Sequence, residues 1–431
     1  MTAMATAPDA LTQELRPPLS AEEALVEADR CLGCGGPYAP APCAAACPAG
    51  IDVPGFVGAL AVGDRRGAAR TIFAENLLGG TCARVCPVEV LCEGACVLHH
   101  EGRAPIAIGA LQRHATDALL LGGEPTLARA AAPPTGRRVA VVGAGPAGLV
   151  CAGELAALGH SVTVYDEHPE PGGLVRYAIA PYRIEREPLS EEAAALAALG
   201  VRFRLGEHVE RAELDAADAV FLGVGMGADA DVRYPGDDLP GVWRSLPFIE
   251  ALKTGEPPAV GRDVVVIGGG NTAIDVAREA VRLGAELVTL VYRRTRAEMP
   301  AYAYEVDEAE AEGVRFLWLS EPVGFLGGHR LEAVRCRLMT LGEPDESGRR
   351  SPRPVAGSEF TLRADTAVEA IGQRVRPEFA ELVAGADPET GQTPDPKYFA
   401  GGDATSGGAS VVEAVRDAKR AARAIDRWLA S

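Results

Sequence analysis

The chain has 431 residues, of which 47% are hydrophobic, so it is long enough for two or three separate cores and has a globular composition. It carries 60 Asp and Glu residues against 42 Lys and Arg residues, a formal net charge of −18. Because this charge repels phosphate backbones and anionic lipids, we expect neither nucleic acid nor a membrane as a partner. The first 20 residues contain no basic segment followed by an apolar core, and no apolar run is long enough to cross a membrane. We therefore expect a cytoplasmic protein.

Eight of the ten cysteines lie between residues 31 and 96 and indicate a separate N-terminal module. They form two runs, CLGCGGPYAPAPCAAACP from Cys31 and CARVCPVEVLCEGAC from Cys82. Cytosolic cysteines are poor candidates for disulfides because their compartment keeps thiols reduced. The intervals of two, three, five and eight residues differ from the paired CxxC knuckles of zinc sites and favour iron–sulfur ligands. Zinc is the alternative, since four thiolates bind either group.

Helices are expected in this module around residues 21 to 30, 56 to 74 and 107 to 121. The stretch LGGEPTLARAAAPPTGRR, which begins at Leu121, is rich in Gly, Pro and Ala and is typical of a linker. We expect a helical first domain, with its linker, over residues 1–135.

One sequence pattern occurs twice after residue 135. The first copy is RRVAVVGAGPAGLVCAGELAALGHSVTVYDEH from Arg137, and the second is RDVVVIGGGNTAIDVAREAVRLGAELVTLVYRR from Arg262. Each copy contains an apolar run, a glycine turn, an Ala-rich segment and a second apolar run, which is typical of a βαβ unit. The two copies predict two Rossmann-like nucleotide-binding domains.

The first glycine loop fits the pattern GxGxxG after a strand and at the start of a helix. Its residues are Gly143, Gly145, Pro146, Ala147 and Gly148. Such glycines permit a tight turn and let the backbone approach a pyrophosphate at the helix N-terminus. Asp166 ends the second strand, where an acid accepts hydrogen bonds from a ribose. We expect a dinucleotide here; the alternative is a tight turn without a ligand.

The second loop predicts a different nucleotide. Its candidate binding residues are Gly268, Gly270, Asn271 and Thr272, and alanine replaces the third glycine. Its second strand ends in VYRR, so Arg293 and Arg294 stand where the first copy has an acid. Guanidinium groups suit a 2′-phosphate, which favours NADPH over NADH. The alternative is a solvated strand end.

Other reactive patterns are absent from the sequence. Cys151 and Cys336 lie in an apparent helix and an apparent strand, where small core residues are expected. Neither nucleotide domain contains a CxxC pair, so thioredoxin-reductase-like disulfide chemistry has no redox pair. No Ser-His-Asp or HExxH arrangement supports hydrolysis, and no catalytic acid or base for substrate chemistry is identified.

Several motifs together resemble one family of flavoproteins. They are RCLGCGGPYAPAPCAAACP, CARVCPVEVLCEGAC, APIAIGALQRHATDALL, VAVVGAGPAGL, GGLVRYAIAPYR, VVIGGGNTAIDVA and FAGGD. The chain is similar to the family of the glutamate synthase small subunit, the N-terminal half of dihydropyrimidine dehydrogenase and its bacterial NAD(P)H-oxidising subunit. The resemblance implies an α/β protein whose N-terminal α-helical domain holds two 4Fe–4S clusters. Two glutathione-reductase-like domains would follow: an FAD domain over residues 136–250 and 366–431, and an inserted NADPH domain over residues 251–365.

The resemblance also assigns the cysteines to two clusters in a crossed pattern. One cluster takes Cys31, Cys34, Cys43 and Cys96, and the other takes Cys47, Cys86, Cys92 and Gln112. A glutamine is the fourth ligand in dihydropyrimidine dehydrogenase, whereas the glutamate synthase branch usually has an acid at this position. An exposed helix residue is the alternative for Gln112, and Cys82 receives no ligand role.

Further flavin contacts are implied for Gly173 and Leu174 and for the GD turn of Gly402 and Asp403. In flavoproteins of the glutathione-reductase type, the acid of this turn lies near the ribityl chain and pyrophosphate. The alternative for Asp403 is an ordinary helix cap or turn acid.

The resemblance implies that FAD accepts hydride from NADPH and that single electrons then pass through the clusters to another protein. The likeness to dihydropyrimidine dehydrogenase stops where an FMN-binding barrel would begin, so we expect an electron-accepting subunit in a hetero-oligomer. Our main hypothesis is an FMN-containing partner that reduces uracil or thymine. The alternatives are a glutamate synthase small subunit with its large subunit, a ferredoxin:NADPH reductase, and a non-catalytic redox-sensing module.

Overall fold

The structure is a computed structural model and describes residues 14–122, 131–345 and 347–431. Residues 123–130 of the expected linker lie outside the described residues. The described chain forms two compact units. The first unit contains residues 14–176, 183–227 and 375–431, and the second contains residues 177–182 and 228–374.

The N-terminal part of the first unit is helical. Its α-helices are α1 (Ala21–Asp29), α2 (Pro42–Ala45), α3 (Val53–Ala61), α4 (Arg65–Glu75), α5 (Gly79–Val85) and α6 (Ile108–Leu120). Two short 3-10 helices, Val88–Val90 and Val97–Glu101, lie between α5 and α6. The prediction of one helix around residues 56 to 74 is wrong. Gly63 has a φ of +80°, and Asp64 starts a new helix by accepting a hydrogen bond of 2.8 Å from the N–H of Gly67.

Strands and helices alternate in the next part of the chain. They are β1 (Arg138–Val142), α7 (Pro146–Ala157), β2 (Ser161–Asp166), α8 (Leu174–Tyr177), α9 (Glu187–Ala198), β3 (Arg202–Leu205), α10 (Arg211–Ala216) and β4 (Ala219–Leu222). Apolar residues fill β1 and β4 almost completely, as expected for strands that are buried on both faces of a parallel sheet. Pro146 occupies the first turn of α7. Backbone N–H groups in a first turn have no hydrogen-bond partner within the helix, so proline loses no hydrogen bond there.

The remaining elements complete both units. Residues 228–374 form β5 (Ala228–Asp229), β6 (Val242–Arg244), α11 (Ser245–Lys253), β7 (Asp263–Gly268), α12 (Asn271–Arg282), β8 (Leu287–Val291), α13 (Ala303–Ala311), β9 (Arg315–Leu317), β10 (Ser320–Leu326), β11 (Ala333–Pro344), β12 (Arg350–Pro354), β13 (Phe360–Arg363), β14 (Thr366–Ala370) and β15 (Gln373–Arg374). A 3-10 helix, Arg296–Glu298, precedes α13. The chain then forms α14 (Pro377–Val383), β16 (Tyr398–Ala400), α15 (Asp403–Ser406) and α16 (Val411–Ala430).

A five-stranded parallel sheet organises the first unit. Its strand order is β16-β4-β1-β2-β3, so a strand from the C-terminal segment forms one edge. Val142 pairs with both Tyr165 and Leu222, which aligns the carboxyl ends of β2, β1 and β4. The loops that follow these strands therefore meet at one edge of the sheet, where nucleotides bind in folds of this type.

The second unit contains its own five-stranded parallel sheet, with the order β6-β14-β7-β8-β9. Strands β10, β11, β12 and β13 form an antiparallel sheet, and β5 pairs with β15 in an antiparallel ribbon. The apolar residues of β7, α12 and β8 pack with those of α11, α13 and β14 in one core cluster of this unit. The unit is thus a second Rossmann-like layer with an antiparallel addition.

The predicted fold class, a helical N-terminal domain followed by two Rossmann-like domains, is confirmed. The described division differs in detail from the expected boundaries at residues 250 and 366. Strands β6 and β14 and helix α11 lie in the second unit, because β14 hydrogen-bonds to both β6 and β7 in the central sheet. Among the described residues, none of the helices has the length and apolar character needed to cross a membrane.

Candidate cofactor sites

The first group of predicted cluster ligands lines one pocket. Its empty volume is about 400 Å³, and it is lined by Cys31, Cys34, Cys43 and Cys96 together with apolar side chains. Cys31 and Cys34 follow α1, Cys43 lies in α2, and Cys96 directly precedes a 3-10 helix. Short elements from both cysteine runs therefore bring together the four residues that the family resemblance assigns to one cluster.

The chemistry of this pocket suits ligands that bind iron. The pKa of the Cys43 thiol is raised to about 11, chiefly by burial and to a smaller extent by the neighbouring Cys31 and Cys96. The apolar side chains that line this pocket supply no positive charge that would stabilise a thiolate. Iron supplies that charge, because metal binding replaces the thiol protons. The residues present therefore fit an iron–sulfur cluster.

The second group contains one cysteine that the sequence assignment left out. The pKa of the Cys86 thiol is raised, first by a hydrogen bond with the Cys82 side chain and then by burial, with Cys47 and Cys92 adding to the effect. Cys82 is only 1% exposed, so it lies within this group and not at the surface. Burial also raises the pKa of Cys47, although backbone N–H groups of residues 49–51 partly offset this by hydrogen-bonding its sulfur.

Gln112 is buried on α6 next to the same segment. It is 8% exposed, and its Nε2 donates a hydrogen bond of 2.7 Å to the carbonyl oxygen of Gly79. The interpretation of Gln112 as an exposed helix residue is therefore wrong. Fixing the Nε2 orients the side-chain amide and leaves its Oε1 as the atom for a ligand bond.

Neither cysteine group resembles a site for one metal ion. Within residues 14–122, 131–345 and 347–431, three or more His, Cys, Asp or Glu side chains do not converge closely enough to bind a single ion.

Close backbone packing explains the glycines of the first loop. Gly143 has a φ of +98°, and a Cβ there would lie 2.4 Å from the carbonyl oxygen of Gly223. A Cβ on Gly148 would lie 1.8 Å from the carbonyl oxygen of Gly143. Gly145 differs, because its Cβ would meet only the Cα of Gly173, at 3.8 Å. The space beside Gly145 is therefore open to a ligand that approaches the start of α7.

Other predicted flavin contacts surround this loop. Asp166 accepts a hydrogen bond of 2.7 Å from the N–H of Ala144 and others from His168. Burial by itself raises the pKa of Asp166, but these hydrogen bonds outweigh it and hold the pKa below its usual value. Gly173 adopts a φ of +52° against Gly145, and Leu174 begins α8 directly after it. The structure thus brings the GGL segment and the acid to the glycine loop.

The GD turn, which belongs to the C-terminal segment, also lies next to the first glycine loop and the start of α7. Gly402 has a φ of +71°, and a Cβ there would lie 2.9 Å from the Cβ of Ala147 in α7. The Oδ1 of Asp403 accepts a hydrogen bond of 3.0 Å from the N–H of Ala409, which closes the glycine loop before α16. Gly402, not Asp403, occupies the cap position of α15, so the helix-cap alternative is wrong, whereas the hydrogen bond from Ala409 is one that a turn acid makes. Burial raises the pKa of Asp403.

The second glycine loop repeats this geometry in the second unit. A Cβ on Gly268 would lie 2.1 Å from the carbonyl oxygen of Ala370, whereas a Cβ on Gly270 would meet nothing within 4 Å. Asn271 and Thr272 are half-buried and begin α12, and the Oδ1 of Asn271 accepts a hydrogen bond of 3.0 Å from the N–H of Tyr302. The start of α12 is therefore open beside Gly270.

The two arginines after β8 have different surroundings. Arg293 is exposed, but Arg294 is only 4% exposed and donates hydrogen bonds to the carbonyl oxygen of Arg350 and to the carboxylate of Asp345. Arg294 is thus already bound within the second unit, and Arg293 is the one whose side chain is open to solvent. Both assignments to a 2′-phosphate stay predictions.

Arg293→Ala is expected to raise the KM for NADPH by about 10- to 100-fold and to leave the KM for NADH within a factor of about two, because it removes a charge-assisted hydrogen bond to phosphate. Steady-state kinetics with both nucleotides measures this. Arg294→Ala is the control: it removes the hydrogen bonds to Arg350 and Asp345 and lowers the melting temperature, but keeps the ratio of the two KM values. An equal rise of both KM values in Arg293→Ala would contradict the assignment.

Two family models match successive parts of the chain. Residues 9–122 match the family model described as dihydropyrimidine dehydrogenase domain II, 4Fe–4S cluster, and residues 137–418 match the model for pyridine nucleotide-disulphide oxidoreductases. The glutamate synthase (NADPH) small chains of Halomonas elongata and Escherichia coli are each 37% identical, over 96% of this chain and 93% of theirs. The chain belongs to the glutamate synthase small-chain family.

Relatives with other names also match the chain. The beta subunit of an NADPH–Fe(3+) oxidoreductase from Geobacter sulfurreducens is 37% identical, over 90% of this chain and 64% of its own length. Among solved structures, FprA of Mycobacterium tuberculosis in complex with NADPH has a TM-score of 0.59 and 22% identity, over 69% of this chain and 85% of that one. Thioredoxin reductase of Lactococcus lactis has a TM-score of 0.52 and 21% identity, over 68% of this chain and 99% of that one. Both structures share the fold.

Membership of the small-chain family confirms the predicted enzyme class and cofactors. The protein is an NADPH-dependent iron–sulfur flavoprotein oxidoreductase that uses FAD and 4Fe–4S clusters. Sequence reasoning missed the position of Cys82 within the second cysteine group. Its signal was the spacing of four residues to Cys86, which places both residues on one side of a helix.

Proposed function

We propose that this protein is the NADPH-oxidising small subunit of a glutamate-synthase-type enzyme and delivers electrons to a larger partner subunit. The observation that carries this proposal is the 37% identity to glutamate synthase small chains over 96% of this chain. Those relatives support the glutamate synthase alternative better than the main hypothesis of a pyrimidine-reducing partner. The partner and its substrate are part of the proposal.

The chain's own residues divide the work between two nucleotide loops and two cysteine groups. When bound, FAD supplies the conversion of a two-electron hydride donor into single electrons for iron–sulfur clusters. The loop at Gly268 and Gly270 would bind NADPH, with Arg293 at its 2′-phosphate. The loop of residues 143–148, together with Asp166 and the Gly402–Asp403 turn, would hold FAD. Apolar side chains form the rest of the lining around the four cysteines of the first pocket.

The site residues would hold and orient the cofactors and would not act as acids or bases. Asp166 fixes the loop after β1 through the N–H of Ala144 and presents a carboxylate to the ribose. Asp403 keeps the segment before α16 closed through Ala409, so that its backbone N–H groups face one side. These residues orient a flavin and do not transfer protons to a substrate.

Reconstitution with a partner tests the proposed function. The chain would be purified without oxygen from its native host, and the proteins that remain bound to it would be identified. We expect NADPH oxidation by this complex to depend on glutamine plus 2-oxoglutarate. Uracil-dependent oxidation with an FMN-containing partner would overturn the proposal in favour of pyrimidine reduction. Turnover only with ferredoxin, or a bound flavin that NADPH does not reduce, would overturn it in favour of the other two alternatives.

Gln112 is the feature that favours the pyrimidine branch, and its role as a ligand is testable by itself. Gln112→Ala is expected to abolish the EPR signal of one reduced cluster and to lower the iron content by about half, because one of two clusters loses a ligand. Iron analysis and EPR of the dithionite-reduced protein measure this. The variant is also made with Cys82→Ser, since the Cys82 thiol lies in the same group and can replace the amide.

Gln112→Glu is the matched control, because a carboxylate of the same length can still bind iron, and it is expected to keep both signals. Retention of both clusters by the Gln112→Ala, Cys82→Ser double variant would show that the second group has another fourth ligand.

A further inference from the structure

A buried carboxylate in the first unit binds the first turn of a cysteine-bearing helix. Glu192 lies on α9 and is only 1% exposed. Its Oε1 accepts hydrogen bonds from the N–H groups of Gly80, at 2.7 Å, and Thr81, at 3.1 Å. Its Oε2 accepts a third from the Oγ1 of Thr81, at 2.5 Å. Three donors of α5, which has no side-chain cap of its own, thus converge on this one carboxylate.

The same turn is held from its other side. The Nε2 of Gln112 donates to the carbonyl oxygen of Gly79 at 2.7 Å. A Cβ on Gly80 would lie 2.2 Å from the Cδ1 of Leu120 and 3.2 Å from the Oε1 of Glu192, so α6 and α9 both press against this residue. The first turn of α5 therefore has little freedom to move while Glu192 and Gln112 keep their contacts.

Helix α5 connects this turn to the second cysteine group. The N–H of Cys82 donates to the carbonyl oxygen of Leu78 at 2.9 Å, and the N–H of Cys86 donates to that of Cys82 at 3.0 Å. With a rise of about 1.5 Å per residue, Thr81 and Cys86 are separated by roughly 7–8 Å along this helix. Thr81 and Cys86 therefore belong to one continuous hydrogen-bonded segment of backbone.

Glu192 also places a carboxylate at the first turn of the helix that carries Cys82. Arg84 is a cation that acts on this carboxylate, and its guanidinium is itself bound to Glu14 at 3.0 Å and to Asp117 at 2.9 Å. Burial raises the pKa of Glu192 to about 7, and the hydrogen bonds from Thr81 and Gly80 only partly offset this. At pH 8.5 the carboxylate is therefore ionised and its charge is stabilised mainly by the donors of α5.

We propose that Glu192 is a positioning residue for the second cysteine group: it fixes α5, and with it the Cys86 ligand, and sets the reduction potential of the cluster bound there. The proposal rests on the cluster assignment within the proposed function. Removal of a negative charge near a cluster favours its reduced form, so loss of this carboxylate raises the potential.

Glu192→Gln tests the proposal with the full-length, cofactor-loaded chain at pH 8.5. The potential of each cluster would be measured by EPR-monitored redox titration, and the second cluster would be identified as the one missing from Cys86→Ser. We expect its potential to rise in Glu192→Gln while the potential of the first cluster, the FAD content and the iron content stay unchanged. Unchanged potentials of both clusters in a fully loaded variant would overturn the proposal.

Glu191→Gln is the matched control, because it makes the same change at an exposed position of the same helix and is expected to move neither potential. If Glu192→Gln does not bind its cofactors, the cluster potentials of Thr81→Val and Thr81→Ser test the proposal instead. Thr81→Val removes one of the three donors and is expected to shift the second cluster's potential, whereas Thr81→Ser keeps the hydroxyl and the potential. Identical potentials in these two variants would overturn the proposal.

These readouts are independent of the partner. A protein that fails to use glutamine plus 2-oxoglutarate but shows the shift in Glu192→Gln would refute the proposed function and leave the role of Glu192 intact. The reverse result, partner-dependent turnover without any shift, would refute the role of Glu192 alone.

Discussion

The Cys34→Ser variant is expected to contain about half the iron of the unaltered protein and to lose one of two cluster EPR signals. Cys34 shares an apolar pocket with Cys31, Cys43 and Cys96, and a serine hydroxyl is a much weaker ligand for iron than a thiolate. The other cysteine group draws its ligands from different residues, so its cluster is expected to survive. Iron and acid-labile sulfide per bound FAD, together with EPR after reduction, measure the loss.

Cys336→Ala is the control for this prediction. Cys336 is fully buried in β11, outside both groups, and its replacement is expected to leave the iron content unchanged. The crossed assignment is contradicted by a Cys34→Ser protein with full iron content. Loss of both EPR signals would instead show that the two groups do not load independently.

The Gly145→Ala variant is expected to bind FAD on the order of 100-fold more weakly, equivalent to about 2.7 kcal/mol. Gly145 has a φ of −74° and a ψ of 179°, a conformation that alanine adopts easily. The new methyl group would meet no neighbour closer than 3.8 Å in the protein, so the fold is expected to tolerate it. It would instead fill the space through which a pyrophosphate approaches the start of α7. Flavin content after purification and titration of the apoprotein with FAD measure the effect.

Gly270→Ala provides the matched control in the other nucleotide loop. Its Cβ also has open space around it, so the protein is expected to keep its FAD and to lose affinity for NADPH. Gly148→Ala is unsuitable, because its Cβ would clash with the carbonyl oxygen of Gly143 at 1.8 Å and disturb the loop itself. Full FAD affinity in Gly145→Ala would mean that the flavin binds elsewhere.

The glycine loops were predictable because their constraints are local. At Gly143 and Gly268 the backbone lies so close to a neighbouring carbonyl oxygen that a side chain would clash. A glycine directly after a buried strand is therefore a local signal in the sequence. The grouping of Cys96 with Cys31 was a different case. More than 60 residues separate them, so the spacing favoured iron–sulfur chemistry but only family resemblance joined these two residues.

The parts that sequence reasoning missed depend on distant partners. Arg294 is buried and hydrogen-bonded to Asp345, 51 residues away, although the pattern VYRR does not distinguish Arg294 from Arg293. Glu192 meets Thr81 across 111 residues, whereas the pair Glu191–Glu192 before an Ala-rich run predicts only solvated side chains. The break at Gly63 is an exception, because its glycine–aspartate pair is a local signal for a helix end and a new cap.

The short ribbon of β5 and β15 has a consequence for the order in which this chain folds. Ala228 pairs with Arg374, so the two ends of the segment between them are adjacent in space. The sheet of the first unit must pair Val220 with Tyr398, two residues that are far apart along the chain. Closing so long a loop in an unfolded chain is entropically unfavourable and slow. Once residues 228–374 have folded, however, the loop that remains to be closed is shortened to residues 221–227 and 375–397. A folded inserted unit thus lowers the entropic cost of closing the sheet of the first unit.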